Sequence, residues 1–600
     1  MTKTTRQWQQ WAQMPLAAAV AAGFAGPASA FTFNVGDVDG AFDTNLTAAV
    51  GWRTESPDKE LIGQGNLPGS NQGASTINYD DGNQNFDAGD TYSEIVRGTS
   101  ELYLNRDFRG DYLSRVGGFV RGRYWYDFRV KDDDFTRDGL ATISEDGKDN
   151  ASGAELLDAY VWTDWYLGDM PVSVRYGNQV FNWGESTFIQ GGINATNPVD
   201  VGAIRSPGSE LKEALLPVEA LFTSIGLTRS LTLKAYVQFD WEPTQIDDCG
   251  TFFSSNDFTA DGCGPVYAFG TESEAGNQGL PTIDRESDKR PDGEDQFGVA
   301  LQWYSPELGN TEFGLYHVRY HSRLPYISGR VAESRGGLPN YFVEYPDDIK
   351  LYGLSMNTNI PGGWSVGAEY SFRENMPLQW NAFELINGGR GQPFSELFQE
   401  RIQSPGVGFS DLAGEEVKGF DRFKVSQAQT TFIKFFDRVL GASRLSFVGE
   451  VGMTYVHDLP SLSRFGRSGI WGVGDFTDKE NASGNLTSCE AENINPSNCT
   501  NDGFVSDFAW GYQLSATLEY NNAIAGATLK PSLSWSHDVN GYSPEPGGAF
   551  NEGSKAVGLG LTAEYRNNYE AGIEYTNYFG GDYNAISDRD NLTASVSYSF

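Results

Sequence analysis

The sequence predicts an all-β chain: a transmembrane antiparallel β-barrel of about eighteen strands, sixteen being the other count its pattern allows. Three observations predict it: unbroken alternation at the C-terminal end, a leader-like N-terminal end, and a strict rhythm of long and short connections. Leu592, Ala594, Val596, Tyr598 and Phe600 fall on one side of the last nine residues. Thr593, Ser595, Ser597 and Ser599 fall on the other. A strand with hydrocarbon on one face and water on the other requires this period of two.

At the other end, Lys3 and Arg6 precede an alanine-rich stretch, Met14–Gly26, and then Ala28-Ser29-Ala30. A charged start, a short apolar middle and a small-residue cleavage site read as a signal peptide, residues 1–30, cut before Phe31. The middle is too short to cross a bilayer as a helix. No run of eighteen apolar residues follows, which excludes a helical membrane protein. A mean hydropathy of −0.43 suits a barrel, because half of each strand is polar and the loops are wet. Residues 31–600 are expected to form one barrel in the outer membrane of a Gram-negative bacterium.

Alternating stretches predict strands near 42–53, 94–107, 112–129, 156–167, 170–182, 219–229, 231–242, 296–305 and 310–322. Further strands are expected near 348–360, 363–374, 422–437, 443–457, 507–521, 525–537, 555–566, 569–580 and 590–600. Short connections such as Pro361-Gly-Gly363 and Asn567-Asn568 alternate with long ones such as 54–93 and 243–295. Barrels of this kind place short turns in the periplasm and long loops outside. Within single strands, Val557, Leu559, Leu561, Ala563 and Tyr565 read outward, with Gly558, Gly560, Thr562 and Glu564 inward. Tyr124, Tyr126, Trp535, Tyr565, Tyr575 and Phe600 suit the aromatic girdles at the two interfaces.

Formal charge is −37, a sign that opposes nucleic-acid binding. Acidic runs at Asp80–Asp90, Asp132–Asp134 and Glu286–Asp295 read as solvated loops or as divalent-cation contacts near lipopolysaccharide. Outer-membrane lipid and lipopolysaccharide are thus expected partners. Asp81-x-Asn83-x-Asn85 has the spacing of a calcium loop, but Phe86 replaces the needed glycine and Tyr92 the twelfth-position glutamate. The four cysteines pair by proximity as Cys249/Cys263 and Cys489/Cys499, and an oxidising compartment predicts two local disulfides. Neither pair has zinc-site spacing, so no metal and no cofactor are expected.

The same inside–outside phase places Arg97, Arg121, Arg123, Arg129, Arg175, Arg319 and Lys530 in the lumen. As a basic ladder they would guide carboxylates or other anions. As structural groups they would pair with Glu101, Asp127, Glu450, Glu564 and Glu574 and brace the wall. Segment 183–218 reads as a candidate constriction folded into the barrel. It carries Trp183 and Glu185, apolar residues such as Val199, Ile204 and Leu215, the cations Arg205 and Lys212, and a short helix capped by Ser209.

Catalytic readings fail. Ser209-x-x-Lys212 lacks its companion motifs, and Gly558-x-Gly560 lies inside a strand. His317 and His321 read inward but sit roughly 13 Å apart along a strand, too far to share a metal. No catalytic residue is assigned. Arg109-Gly-Asp111 reads as a periplasmic turn.

Leu592–Phe600 also looks like the signal read by the barrel-assembly machinery, which is an expected partner. Phe33–Phe42, Arg123-Tyr-Trp-Tyr-Asp127, Arg175–Thr187, Asn197-Pro-Val-Asp200, Tyr345–Ile349 and Trp535–Pro544 resemble the Gram-negative domain-of-unknown-function 1302 (DUF1302) family over the whole exported length. The resemblance implies an outer-membrane barrel, often encoded beside a periplasmic companion and an inner-membrane transporter. It implies traffic in lipids, hydrophobic carbon sources or polyester-type products. The function expected is a porin-like channel for small amphipathic or hydrophobic organic compounds, carboxylates among them. The alternative is a closed structural or surface-interaction barrel without transport.

Overall fold

The protein is described here by a computed structural model covering residues 31–67, 73–110, 112–462 and 464–600. The signal-peptide reading of 1–30 and Asp111 of the Arg109–Asp111 turn lie outside the described residues.

Alternation produces the ring of strands in sequence order. They are β1 (Val38–Arg53), β2 (Thr91–Asp107), β3 (Leu113–Asp127), β4 (Ser152–Leu167), β5 (Met170–Gln179) and β6 (Val218–Gly226). β7 (Leu231–Gln238), β8 (Phe297–Ser305), β9 (Thr311–Tyr320), β10 (Ile349–Ile360), β11 (Trp364–Gln379) and β12 (Phe420–Asp437) follow. β13 (Arg444–Val456), β14 (Phe508–Ile524), β15 (Ala527–Asn540), β16 (Lys555–Tyr565), β17 (Tyr569–Phe579) and β18 (Asn591–Ser599) complete it. Each pairs antiparallel with the next, and β18 returns to β1, from Asn45 opposite Ser599 to Arg53 opposite Asn591. Closure leaves no strand edge unpaired, which matters because an unsatisfied amide in hydrocarbon costs several kcal/mol. Phe31–Val35 folds back as a short hairpin on the start of β1.

The turns at one end are tight. Ala525 and Gly526, both at positive φ (52° and 88°), join β14 to β15, the left-handed geometry a two-residue hairpin needs. Longer connections rise at the opposite end and pack on each other around small apolar cores, such as Phe86 with Phe135, Ile143 and Phe252. Both disulfides, Cys249–Cys263 and Cys489–Cys499, are formed in these connections.

Outward-facing Val161, Leu221, Leu315, Leu354, Phe435, Leu533, Leu559 and Ile573 are exposed and form an apolar belt. β9 departs from the expected phase. Tyr316, Val318 and Tyr320 are the buried, inward residues, whereas Leu315 is exposed. Arg319 and His317 share the outward face with Leu315, so neither lines the lumen. Arg319 pairs at the rim with Asp348 (2.5 Å) and Asp295 (3.6 Å). The reason is local: the bore beside β6–β10 is filled by apolar side chains, so polarity no longer marks the inner face.

Candidate functional site in the bore

That filling comes from the connection between β5 and β6, which runs into the barrel. Phe181, Trp183 and Ile193 pack with Tyr236, Ala300, Tyr316, Val318 and Leu351 from the wall. The Phe181 and Tyr236 rings stack at 4.2 Å, and Trp183 lies 4.9 Å from Tyr236. Trp183 is thus a buried anchor.

Two wall carboxylates hold the same segment by its backbone. Glu369 on β11 accepts the N–H groups of Glu185 (2.5 Å), Ser186 (3.2 Å) and Ile193 (2.9 Å) and the Gln429 amide (2.9 Å). Glu450 on β13 accepts Thr187, Phe188 and Ile189 N–H at 3.0, 2.6 and 2.8 Å, and the Thr431 hydroxyl. Successive amides facing one way make a concavity for an anion, and here the anion is part of the wall. Hydrogen bonds to a charged acceptor are about twice as strong as neutral ones. Glu369 and Glu450 are 5% and 2% exposed and make no ion pair among the described residues. Glycine permits the approach. A Cβ at Gly192 would lie 1.8 Å from Glu369 Oε1, and one at Gly184, where φ is +95°, 2.3 Å from Oε2. Arg373 donates to the Gly192 carbonyl (2.8 Å) and Gln427 to that of Gln190 (2.6 Å). Glu185 turns its own carboxylate to Asn357 (2.7 Å).

Beyond Asn197 the segment reaches the other side of the bore. Asp200 caps the helix α1 (Val201–Arg205) by accepting Ala203 N–H at 2.8 Å. The second helix, α2 (Leu211–Ala214), is shorter than predicted. Glu210 rather than Ser209 holds its N-cap, without a side-chain bond, and the Ser209 hydroxyl donates to Ile204 instead. Arg97 on β2 donates to Ser206, to the Pro207 carbonyl (2.9 Å) and to Glu213 (3.3 Å). Arg123 on β3 pairs with Asp200 (2.7 Å) and Glu155 (2.6 Å) and donates to the Glu213 carbonyl (2.8 Å). Asn45 on β1 donates to Glu210, and a Cβ on Gly208 would meet Ser595 of β18 at 2.9 Å.

The residues singled out from sequence therefore separate. Arg97 and Arg123 tie down the segment. Arg121 lies between Glu101 (3.0 Å) and Asp158 (2.8 Å), with Lys212 also on Glu101 (3.2 Å). Arg175 makes no ion pair among the described residues and lies over the rings of Tyr160 (4.9 Å) and Phe222 (5.0 Å). Arg205 pairs with Asp247 near the long-loop end, over Phe253. Lys530 pairs with Glu564 on the next strand. Glu450, read as a partner for a cation, binds amides. Glu369, Arg373 and Asp200 were missed, although a lone glutamate inside Val366-Gly-Ala-Glu-Tyr370 was the available signal.

The segment crosses the bore without filling it. At mid-height, inward residues of β6–β13 such as Ala220, Leu351 and Ser371 are buried. On β15 and β17, inward Ser534 and Glu574 remain exposed to solvent. Their neighbours are small, with Ser532, Gly558, Gly560 and Gly572 on the same face. Glu564, Glu570 and Glu574 carry charge into that space against Lys530.

The family described as "Protein of unknown function (DUF1302)" matches residues 11–600. The chain belongs to the DUF1302 family. No curated protein matches this DUF1302 chain. Among solved structures, it is similar to Acinetobacter baumannii OccAB3, with 8% identity, 94% of this chain and 99% of that one covered, and a TM-score of 0.40. The outer-membrane channel DcaP of Acinetobacter baumannii shares 8% identity over 96% and 100% of the two chains, TM-score 0.34. A BenF-like porin from Pseudomonas fluorescens shares 10% over 93% and 98%, TM-score 0.38. Likeness at this level carries no argument about the solute.

Proposed function

We propose that this protein is an outer-membrane channel for small amphipathic or hydrophobic organic compounds, carboxylates among them. In that setting the long connections face outward from the cell and the tight turns face the periplasm. The observation that carries the reading is the divided bore. One side is occupied by segment 183–218, fastened to opposite walls, and the other keeps exposed inward groups on β15 and β17. A sealed scaffold has no need to leave that wall lined by serine and glycine. Exposed Ile204 and Leu211 on the segment supply contacts for hydrocarbon, and Arg175, which has no acidic partner among the described residues, supplies a contact for a carboxylate. Glu564, Glu570 and Glu574 face the same water, so the balance of the two walls sets the preference between anions and cations. Coupling to a periplasmic companion and an inner-membrane transporter completes the proposal, with the barrel-assembly machinery acting on Leu592–Phe600. Planar-bilayer recording tests it. Discrete openings whose reversal potential shifts with Arg175→Glu support the channel; a barrel that never opens at any voltage is a closed scaffold.

A further inference from the structure

The long-loop end contains a second, apolar chamber that the bore does not use. Tyr79 from the β1–β2 connection, Phe269 from β7–β8, Leu338 from β9–β10, Ile386 from β11–β12 and Ile494 from β13–β14 line a cavity of about 300 Å³. Five connections thus converge on one space. Cavities that hold small ligands run from roughly 300 to 1,000 Å³ and combine apolar walls with few polar groups. This one stands at the small end, suited to a single ring or a short chain rather than a whole lipid.

The polar groups of the lining are mostly engaged with one another. Asn78 donates to Thr76 (2.7 Å) and to the Tyr267 carbonyl (3.0 Å) and accepts the Tyr267 N–H (2.7 Å). The Tyr341 hydroxyl donates to the Phe258 carbonyl at 3.0 Å. Arg390 is different. It follows the helix α3 (Ala382–Gly389) and lines the cavity. Its Nη2 donates to the Gly336 carbonyl at 3.4 Å, while Nε is buried without a partner. It makes no ion pair among the described residues, in a chain with 80 acidic against 43 basic side chains. A helix C-terminus favours a cation but does not account for a sealed donor beside an apolar space. Nη1 makes no hydrogen bond among the described residues, and a guanidinium with free N–H groups recognises a carboxylate.

We infer that this cavity binds a small organic acid, its carboxylate on Arg390 and its hydrocarbon or aromatic body among Tyr79, Phe269 and Ile386. As the capture site for the transported solute this rests on the channel reading above; as a binding site it stands apart from it. The test is calorimetric titration of the full-length, detergent-solubilised barrel with phenylacetate and with its uncharged amide. The wild type is expected to bind the acid roughly tenfold more tightly than the amide, the difference one charge-assisted hydrogen bond supplies. Arg390→Gln should erase that difference, and Ile386→Trp, which fills the space, should abolish binding of both. Equal binding of acid and amide by the wild type, acid binding that neither variant weakens, or no binding of either compound overturns the inference. Bilayer recordings separate the two readings. Acid binding in a barrel that never conducts leaves the site and removes the channel, whereas conductance without acid binding does the reverse.

Discussion

Arg123 of the barrel wall and Asp200 of the inward segment meet at 2.7 Å, and the same guanidinium donates to the Glu213 carbonyl at 2.8 Å. A cation on the inner face of the barrel thereby serves as a fastening between the wall and the inward segment. Breaking a buried pair strands the remaining charge, at a cost of about 3–5 kcal/mol. Arg123→Ala is therefore expected to lower the thermal midpoint of the folded barrel and to expose the β5–β6 connection to protease. Unchanged proteolysis would show that the pair does not fasten the segment.

Arg175 gives the contrasting expectation. It is held by two aromatic faces, each cation–π contact contributing about 1 kcal/mol. Arg175→Gln should leave folding nearly intact while lowering anion over cation permeability. The ratio of permeabilities from reversal potentials, measured with a chloride gradient, decides it.

Glu450 and Glu369 act through backbone amides, so a neutral isostere keeps the shape and weakens the hold. Each lost charge-assisted bond is worth about 1.5–3 kcal/mol. The double variant Glu369→Gln, Glu450→Gln should produce larger and noisier single-channel currents, because the segment samples positions away from its wall. Quiet currents of the original size would argue that the apolar contacts of Phe181 and Trp183 suffice alone.

In the loops, Asp80 is buried and accepts Gly63 N–H at 2.7 Å. Burial pushes its carboxyl up to about 8, with Arg137 opposing the rise and Asp81 and Glu274 adding to it; burial, with Asp81 and Asp80, pushes Asp257 up as well. These groups hold protons more tightly folded than unfolded. Stability of the β1–β2 connection is therefore highest in acid and falls as pH rises toward 8. Hydrogen exchange of that connection, corrected for intrinsic rates, should be faster at pH 8 than at pH 5, and Asp80→Asn should flatten the dependence.

Reduction of Cys489–Cys499 releases a loop closed over 10 residues, worth about 2–3 kcal/mol to that loop in the chain-entropy model. Mild reductant should make the β13–β14 connection protease-sensitive without unfolding the barrel, whose ladder closes independently at β1 and β18. Loss of the whole β-sheet circular-dichroism signal would contradict this.

The sequence by itself determined the ring: strand number, connection rhythm, cysteine pairing and, for most strands, which face looks out. These are local properties, written in a period of two and in turn residues, and hydrocarbon outside enforces them. The inner face was decided only by tertiary structure. Arg319 looked inward by polarity and lies outward because Trp183, Phe181 and Ile193 fill the bore beside β9, where the inner face of the strand is apolar. Arg97 and Arg123 were legible as inward cations, but not as partners of Ser206, Asp200 and Glu213, residues about 80 to 115 positions away in sequence. Which carboxylate meets which amide depends on where a long connection comes to rest, and no spacing along the chain encodes that.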